Sequence, residues 1–111
     1  MNYRTVTFYK TYFNDFFAAQ SQKVRDKILW TLRLIEQVEK IPDTYLKHIE
    51  GTNGLYEVRV QVGSDIFRIF CFFDAGQLIV LANGFQKKTQ KTPKQELEKA
   101  IKIKKEYDAA K

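Results

Sequence analysis

Two adjacent apolar stretches, each carrying one arginine, limit what residues 56–85 can fold into. From Tyr56 to Val62 the chain alternates, with Tyr56, Val58, Val60 and Val62 on one side and Glu57, Arg59 and Gln61 on the other. A period of two is the mark of a strand with one buried face. The next stretch is apolar at both parities, since Ile66, Phe67, Ile69, Phe70, Phe72 and Phe73 surround Arg68. Apolar residues on both faces suit a central strand. A charge in such a run is costly unless it is paired or opens onto a site. A third strand, Leu78 to Phe85, closes on Gly84-Phe85 and runs into Gln86, Lys87 and Lys88. The turns at Gly63-Ser64-Asp65 and Asp74-Ala75-Gly76 are short enough for antiparallel hairpins. Cations gathered at one mouth of a small sheet are what a phosphate-binding or RNA-cutting surface needs.

The remaining chain supplies one more strand and the helices. Tyr3 to Tyr9 alternates and is rich in β-branched and aromatic residues, so it reads as a first strand. Tyr12 to Ala19 reads as a short helix with Phe13, Phe16 and Phe17 turned inward. Ser21 is a fitting N-cap for a helix from Gln22 to about Lys40, whose stripe Val24, Ile28, Leu32, Ile35 and Val38 keeps the helical period. Pro42 is expected to end it, leaving Asp43 to Gly54 as a loop that holds Leu46, Lys47 and His48. Thr92-Pro93-Lys94-Gln95 reads as a helix start with Thr92 as cap, and Leu97, Ile101 and Ile103 face the core of a last helix ending near Asp108. The expected fold is α+β: one domain over residues 1–111, with a small, twisted, mostly antiparallel sheet. Two N-terminal helices and a C-terminal helix lie on one of its faces.

Composition narrows the function classes. Apolar residues make up 44% of the 111, too many for a disordered chain. There is no apolar run of membrane-spanning length and no signal-peptide core in MNYRTVTFYK, so the cytoplasm is the expected location, with no membrane partner. The single cysteine, Cys71, rules out an internal disulfide and reads as a small buried hydrophobe. With one His beside it, neither a catalytic thiol nor a metal site is expected, and no cofactor is implied. Residues 1–84 carry ten Lys or Arg against nine Asp or Glu, whereas residues 85–111 carry nine Lys against four Asp or Glu. The net +6 is thus concentrated after the sheet, which points to a polyanionic partner, either nucleic acid or an acidic protein.

Cations of this kind are also what metal-free RNA cleavage uses. RNA is cut without a metal when its 2′-hydroxyl is deprotonated and aligned with the adjacent phosphate, the extra charge on phosphorus is neutralised, and the leaving 5′ oxygen is protonated. The planar fork of arginine gives phosphate two parallel hydrogen bonds, and a crowded lysine can act as acid or base.

The order and spacing of LKHIEG, LYEVRV, FRIF, NGFQKKTQKTP and a closing lysine-rich helix resemble the RelE/HigB superfamily of toxins from bacterial toxin–antitoxin modules, nearest to its phage-derived HigB-like branch. The resemblance implies that the first strand joins the sheet beside the later ones. It implies a ribosome-dependent mRNA endonuclease, partnered by an antitoxin with a helix-turn-helix domain. Arg68 then falls where the family's arginine contacts the scissile phosphate, and Arg59 where a basic residue serves as base or charge stabiliser. Lys87 and Lys88 fall where basic residues stabilise phosphate or protonate the leaving group. Lys47, His48, Lys91 and Lys94 are the candidate RNA contacts, with His48 also a base candidate because of its near-neutral intrinsic pKa. Tyr107 does not match the family's terminal catalytic tyrosine or histidine. Three other readings stay open: Arg68 as a structural clip to Glu57 or Asp65, a gyrase poison, and a non-catalytic RNA- or protein-binding module on the same fold.

Overall fold

The structure is a computed structural model and describes residues 2–111. Its elements run β1 (Thr5–Phe8), α1 (Tyr12–Ala18), α2 (Gln22–Gln37), β2 (Leu46–His48), β3 (Leu55–Val62), β4 (Asp65–Asp74), β5 (Leu78–Lys87) and α3 (Lys94–Ala109). The five strands form one sheet in the order β1-β5-β4-β3-β2, so the doubly apolar strand β4 is central, as its pattern requires. Strands β2 to β5 pair antiparallel with their neighbours, and β1 joins β5 in parallel. This is the expected α+β fold, with a mixed and mostly antiparallel sheet.

Alternation on the strands sorts the core into two layers. Val58 and Val60 of β3 and Phe67, Ile69 and Cys71 of β4 meet Phe13 of α1 and the stripe Val24, Ile28, Leu32 and Ile35 of α2. On the opposite parity, Leu55, Phe70, Phe72, Val80 and Phe85 meet Ala100 and Ile103 of α3. The helices therefore cover both faces, not one. The expectation failed because Leu97, Ile101 and Ile103 show that α3 has an apolar side without showing which face it covers.

Three local expectations also change. The segment expected as a loop contains β2, so Lys47 and His48 sit on a short edge strand paired with Glu57 and Tyr56. Helix α2 ends at Gln37, with Val38 already extended, well before Pro42. There the Arg4 guanidinium, just before β1, donates to the carbonyls of Ile35, Val38 and Glu39, doing the work of a C-cap from a distant segment. At α3, Pro93 takes the N-cap position and Thr92 makes no cap; the buried Asn83 amide instead donates to the Glu96 carbonyl and carboxylate, both at 3.1 Å. Ser21 does cap α2, its Oγ accepting from the Val24 N–H. Cys71 is fully buried, which pushes its thiol pKa up.

Gly84 faces α1 so closely that a Cβ there would lie 2.5 Å from the Phe16 ring. Gly84→Ala is expected to lower stability by about 1–3 kcal/mol, as overpacking does. Thermal denaturation of Gly84→Ala alone and combined with Phe16→Ala measures this, with the second change relieving the clash.

Candidate functional site

Arg59 and Arg68 stand directly opposite each other on β3 and β4. Two like charges in facing positions repel, so an anion between them is required. Glu57, two residues along β3 on the same face, provides it. Its Oε2 lies 3.2 Å from Arg59 Nε and 3.1 Å from Arg68 Nε, and the three side chains are largely withdrawn from solvent. Neither Nε–H points at that oxygen well enough to make a hydrogen bond, so both are buried nitrogens held by charge alone. Arg68 Nη1 donates to the Phe67 carbonyl at 3.1 Å, and Arg59 Nη1 to the Asp43 carbonyl at 3.3 Å. Burial lowers the pKa of the Arg68 guanidinium, Glu57 opposes that, and neighbouring Arg59 adds to the lowering.

The two arginines look onto a cavity of about 400 Å³ at the uncovered edge of β3. Pairing with β2 stops at Val58, and the Arg59 N–H goes to the Tyr45 carbonyl at 2.8 Å, so from Val60 onward the edge is open. Lys27 and Thr31 of α2 form one wall, with Thr44, Tyr45 and Gln61 completing it. Three cations, Arg59, Arg68 and Lys27, line the cavity, and Glu57 pairs with the two arginines without lining it. Arg68 is only 7% exposed, with its Nε buried against Glu57 and its Nη1 bonded to the Phe67 carbonyl, so only the remaining edge of its guanidinium fork is open to an anion in the cavity.

The other sequence candidates fall into two groups. Lys87 closes β5 opposite Ile66, one step diagonal from Arg68 and on the same face, a spacing of about 7–8 Å between backbones. Lys47 is paired with Glu57 and so stands on the arginine side of the sheet. His48 is on the other parity, its ring 5.1 Å from that of Tyr56, and is not brought to the arginines. Lys88 and Lys91 are exposed in the segment before α3. Lys94 is almost fully exposed and lies 4.0 Å from Glu98. None of these three lines the cavity. Tyr107 donates to Asp74, six residues along β4 from Arg68, or roughly 20 Å at a strand's rise. Asp74 also binds Lys111, so this cluster pins the end of α3 and takes no part in the arginine site.

Sequence reasoning missed Lys27 and Tyr45 as lining residues. Lys27 reads as a solvated position beside the α2 stripe, and only the fold brings it to the wall of a cavity that Arg59 also lines. The one available hint was Thr31, a polar residue beside that stripe and completely buried.

Residues 15–105 match the family described as phage-derived protein Gp49-like (DUF891). The chain belongs to the Gp49-like family. That family lies within the RelE/HigB-like toxin superfamily and is associated with the toxins of toxin–antitoxin systems. Membership of the Gp49-like family suggests an antitoxin partner. No curated protein matches the chain. The Gp49-like match spans every strand from β2 to β5, and so includes Glu57, Arg59, Arg68 and Lys87. Among the described residues no helix is long and apolar enough to cross a membrane.

Proposed function

We propose that this Gp49-like protein is a type II toxin that cleaves messenger RNA on the ribosome and is held inactive by a helix-turn-helix antitoxin. The observation that carries the reading is the facing pair Arg59 and Arg68, bridged by one carboxylate and opening onto a cavity. In the proposed reaction the scissile phosphate docks on the two guanidinium groups. The 2′-hydroxyl of the preceding ribose gives its proton to solvent as its oxygen attacks phosphorus, the bond to the 5′ oxygen breaks with a proton returned to that oxygen, and the products are a 2′,3′-cyclic phosphate and a 5′-hydroxyl. Positive charge fixed in a partly dry site stabilises the crowded phosphorane more than the starting diester. Glu57 holds the guanidinium groups ready, so little reorganisation is left for the reaction itself. Lys87 is the next cation on that face and supports the leaving oxygen. Lys47, Lys88, Lys91 and Lys94 add diffuse attraction to RNA.

The test is induction of the protein alone in bacteria. Growth is expected to stop, and primer extension is expected to show new cuts within coding regions that vanish when translation is blocked. Arrest with intact messages and trapped gyrase–DNA complexes would replace this reading with gyrase poisoning. Binding to ribosomes without cuts would make the protein a non-catalytic member of the fold.

A further inference from the structure

A second hollow of about 380 Å³ continues from the arginine cavity and shares Lys27 and Gln61 with it. Its other walls are Lys23, Asp26, Trp30 and Val62. Trp30 is 44% exposed, one of four large apolar side chains left in solvent among the described residues, together with Tyr3, Phe8 and Leu29, and of these it alone lines a hollow beside the arginines. Its indole is not idle: Lys27 Nζ sits 4.2 Å from the ring centroid, and the Tyr45 ring meets it edge-on at 5.8 Å. Lys27 thus stands between an aromatic face and the cavity that holds Arg59 and Arg68.

We infer that this hollow is a subsite for one unpaired RNA base, stacked on Trp30 beside the phosphate held by Arg59 and Arg68. The inference rests on the RNA-cutting reading given above and deepens it. A nucleotide next to a bound phosphate must place its base within one sugar's reach, and the adjoining hollow is the recess the cavity opens into. Every base has a π-face, so an exposed indole accepts it with little regard to sequence. Gln61 presents an amide where the two hollows meet, suited to a base edge or a ribose hydroxyl. The lysine over Trp30 is weakly held at an exposed site and gains more from a phosphate. Arrival of RNA therefore draws Lys27 toward the backbone and bares the indole for the base.

Trp30 is the only tryptophan, so ¹⁵N-labelled protein gives a single indole N–H resonance. The probes are a hexaribonucleotide 2′-O-methylated to block cleavage and a chain of the same length and charge with abasic sugars. The intact probe is expected to shift both the indole resonance and the arginine Nε–H resonances, whereas the abasic probe shifts only the arginines. Trp30→Ala is expected to weaken the intact probe about 10-fold and leave the abasic one unchanged, with Trp30→Phe retaining most of the affinity. Arginine shifts without an indole shift, and unchanged binding by Trp30→Ala, would overturn the subsite and leave the phosphate clamp standing. Failure of both probes to move any arginine would overturn the clamp and the subsite together.

Discussion

Arg68→Ala is expected to lower RNA cleavage about 100- to 1,000-fold, the usual effect of deleting one preorganised charge contact to a transition state. The protein should still fold, because Glu57 keeps its ion pair with Arg59 at 3.2 Å when Arg68 is removed. The Arg68–Glu57 pairing expected of a structural clip is present, at 3.1 Å, but Glu57 also pairs with Arg59, so the two readings of Arg68 have different expected outcomes. A clip made of one arginine and one carboxylate would leave that carboxylate stranded; a carboxylate shared by two arginines is not. The fall in melting temperature should therefore be modest while toxicity disappears in a growth assay. Arg68→Lys should restore little, since one ammonium cannot span two phosphate oxygens as the guanidinium fork does. A large loss of melting temperature, with cleavage kept by the folded fraction, would return Arg68 to a structural role.

Glu57→Gln is expected to be the most destabilising single change in the site. It leaves Arg59 and Arg68 facing each other with no anion between them, and both have a buried Nε. Removing one partner of a buried ion pair typically costs ~3–5 kcal/mol. Arg59 keeps a side-chain exposure of 29%, which moves the expectation toward the lower end of that range. A loss near ~3 kcal/mol corresponds to a fall in melting temperature of about 10 °C or more for a domain of this size. Thermal melts of Glu57→Gln, Arg68→Ala and the double variant provide the check. The double variant should be more stable than Glu57→Gln alone, because it no longer confines two unneutralised cations. Phosphate or a short RNA added to Glu57→Gln should recover part of the loss by supplying the missing anion.

The strands that carry this site were legible because their patterns are local. The alternation of Tyr56 to Val62 and the doubly apolar run around Arg68 placed β3 and β4, and the central position of β4 followed from its lack of a polar face. The facing of Arg59 and Arg68 was not read from the sequence, since it depends on the register set by the two-residue turn after Val62. What the sequence hid was set by contacts between distant segments. Arg4 ends α2 from a distant segment, so the helix stops before its proline. β2 is only three residues long and exists because β3 offers it an edge, a pairing no window around Leu46 reveals. Lys27 and Trp30 lie on a helix whose buried stripe was clear, but the direction in which its margin faces depends on the helix's roll against the sheet. The proposed roles of Arg59, Arg68 and Lys87 rest on family likeness, and the geometry adds a shared carboxylate and a cavity for the two arginines alone.

The most direct measurement is the chemistry of the ends produced when purified protein acts on messenger RNA bound to ribosomes. Attack by the 2′-oxygen leaves a 5′-hydroxyl, which polynucleotide kinase labels without prior phosphatase treatment, and a cyclic phosphate on the upstream fragment. Those ends are expected at sites within the decoded message, and their loss is expected with Arg68→Ala despite an unchanged fold. Fragments bearing 5′-phosphate and 3′-hydroxyl ends, or no fragments from a folded and ribosome-bound protein, would contradict it.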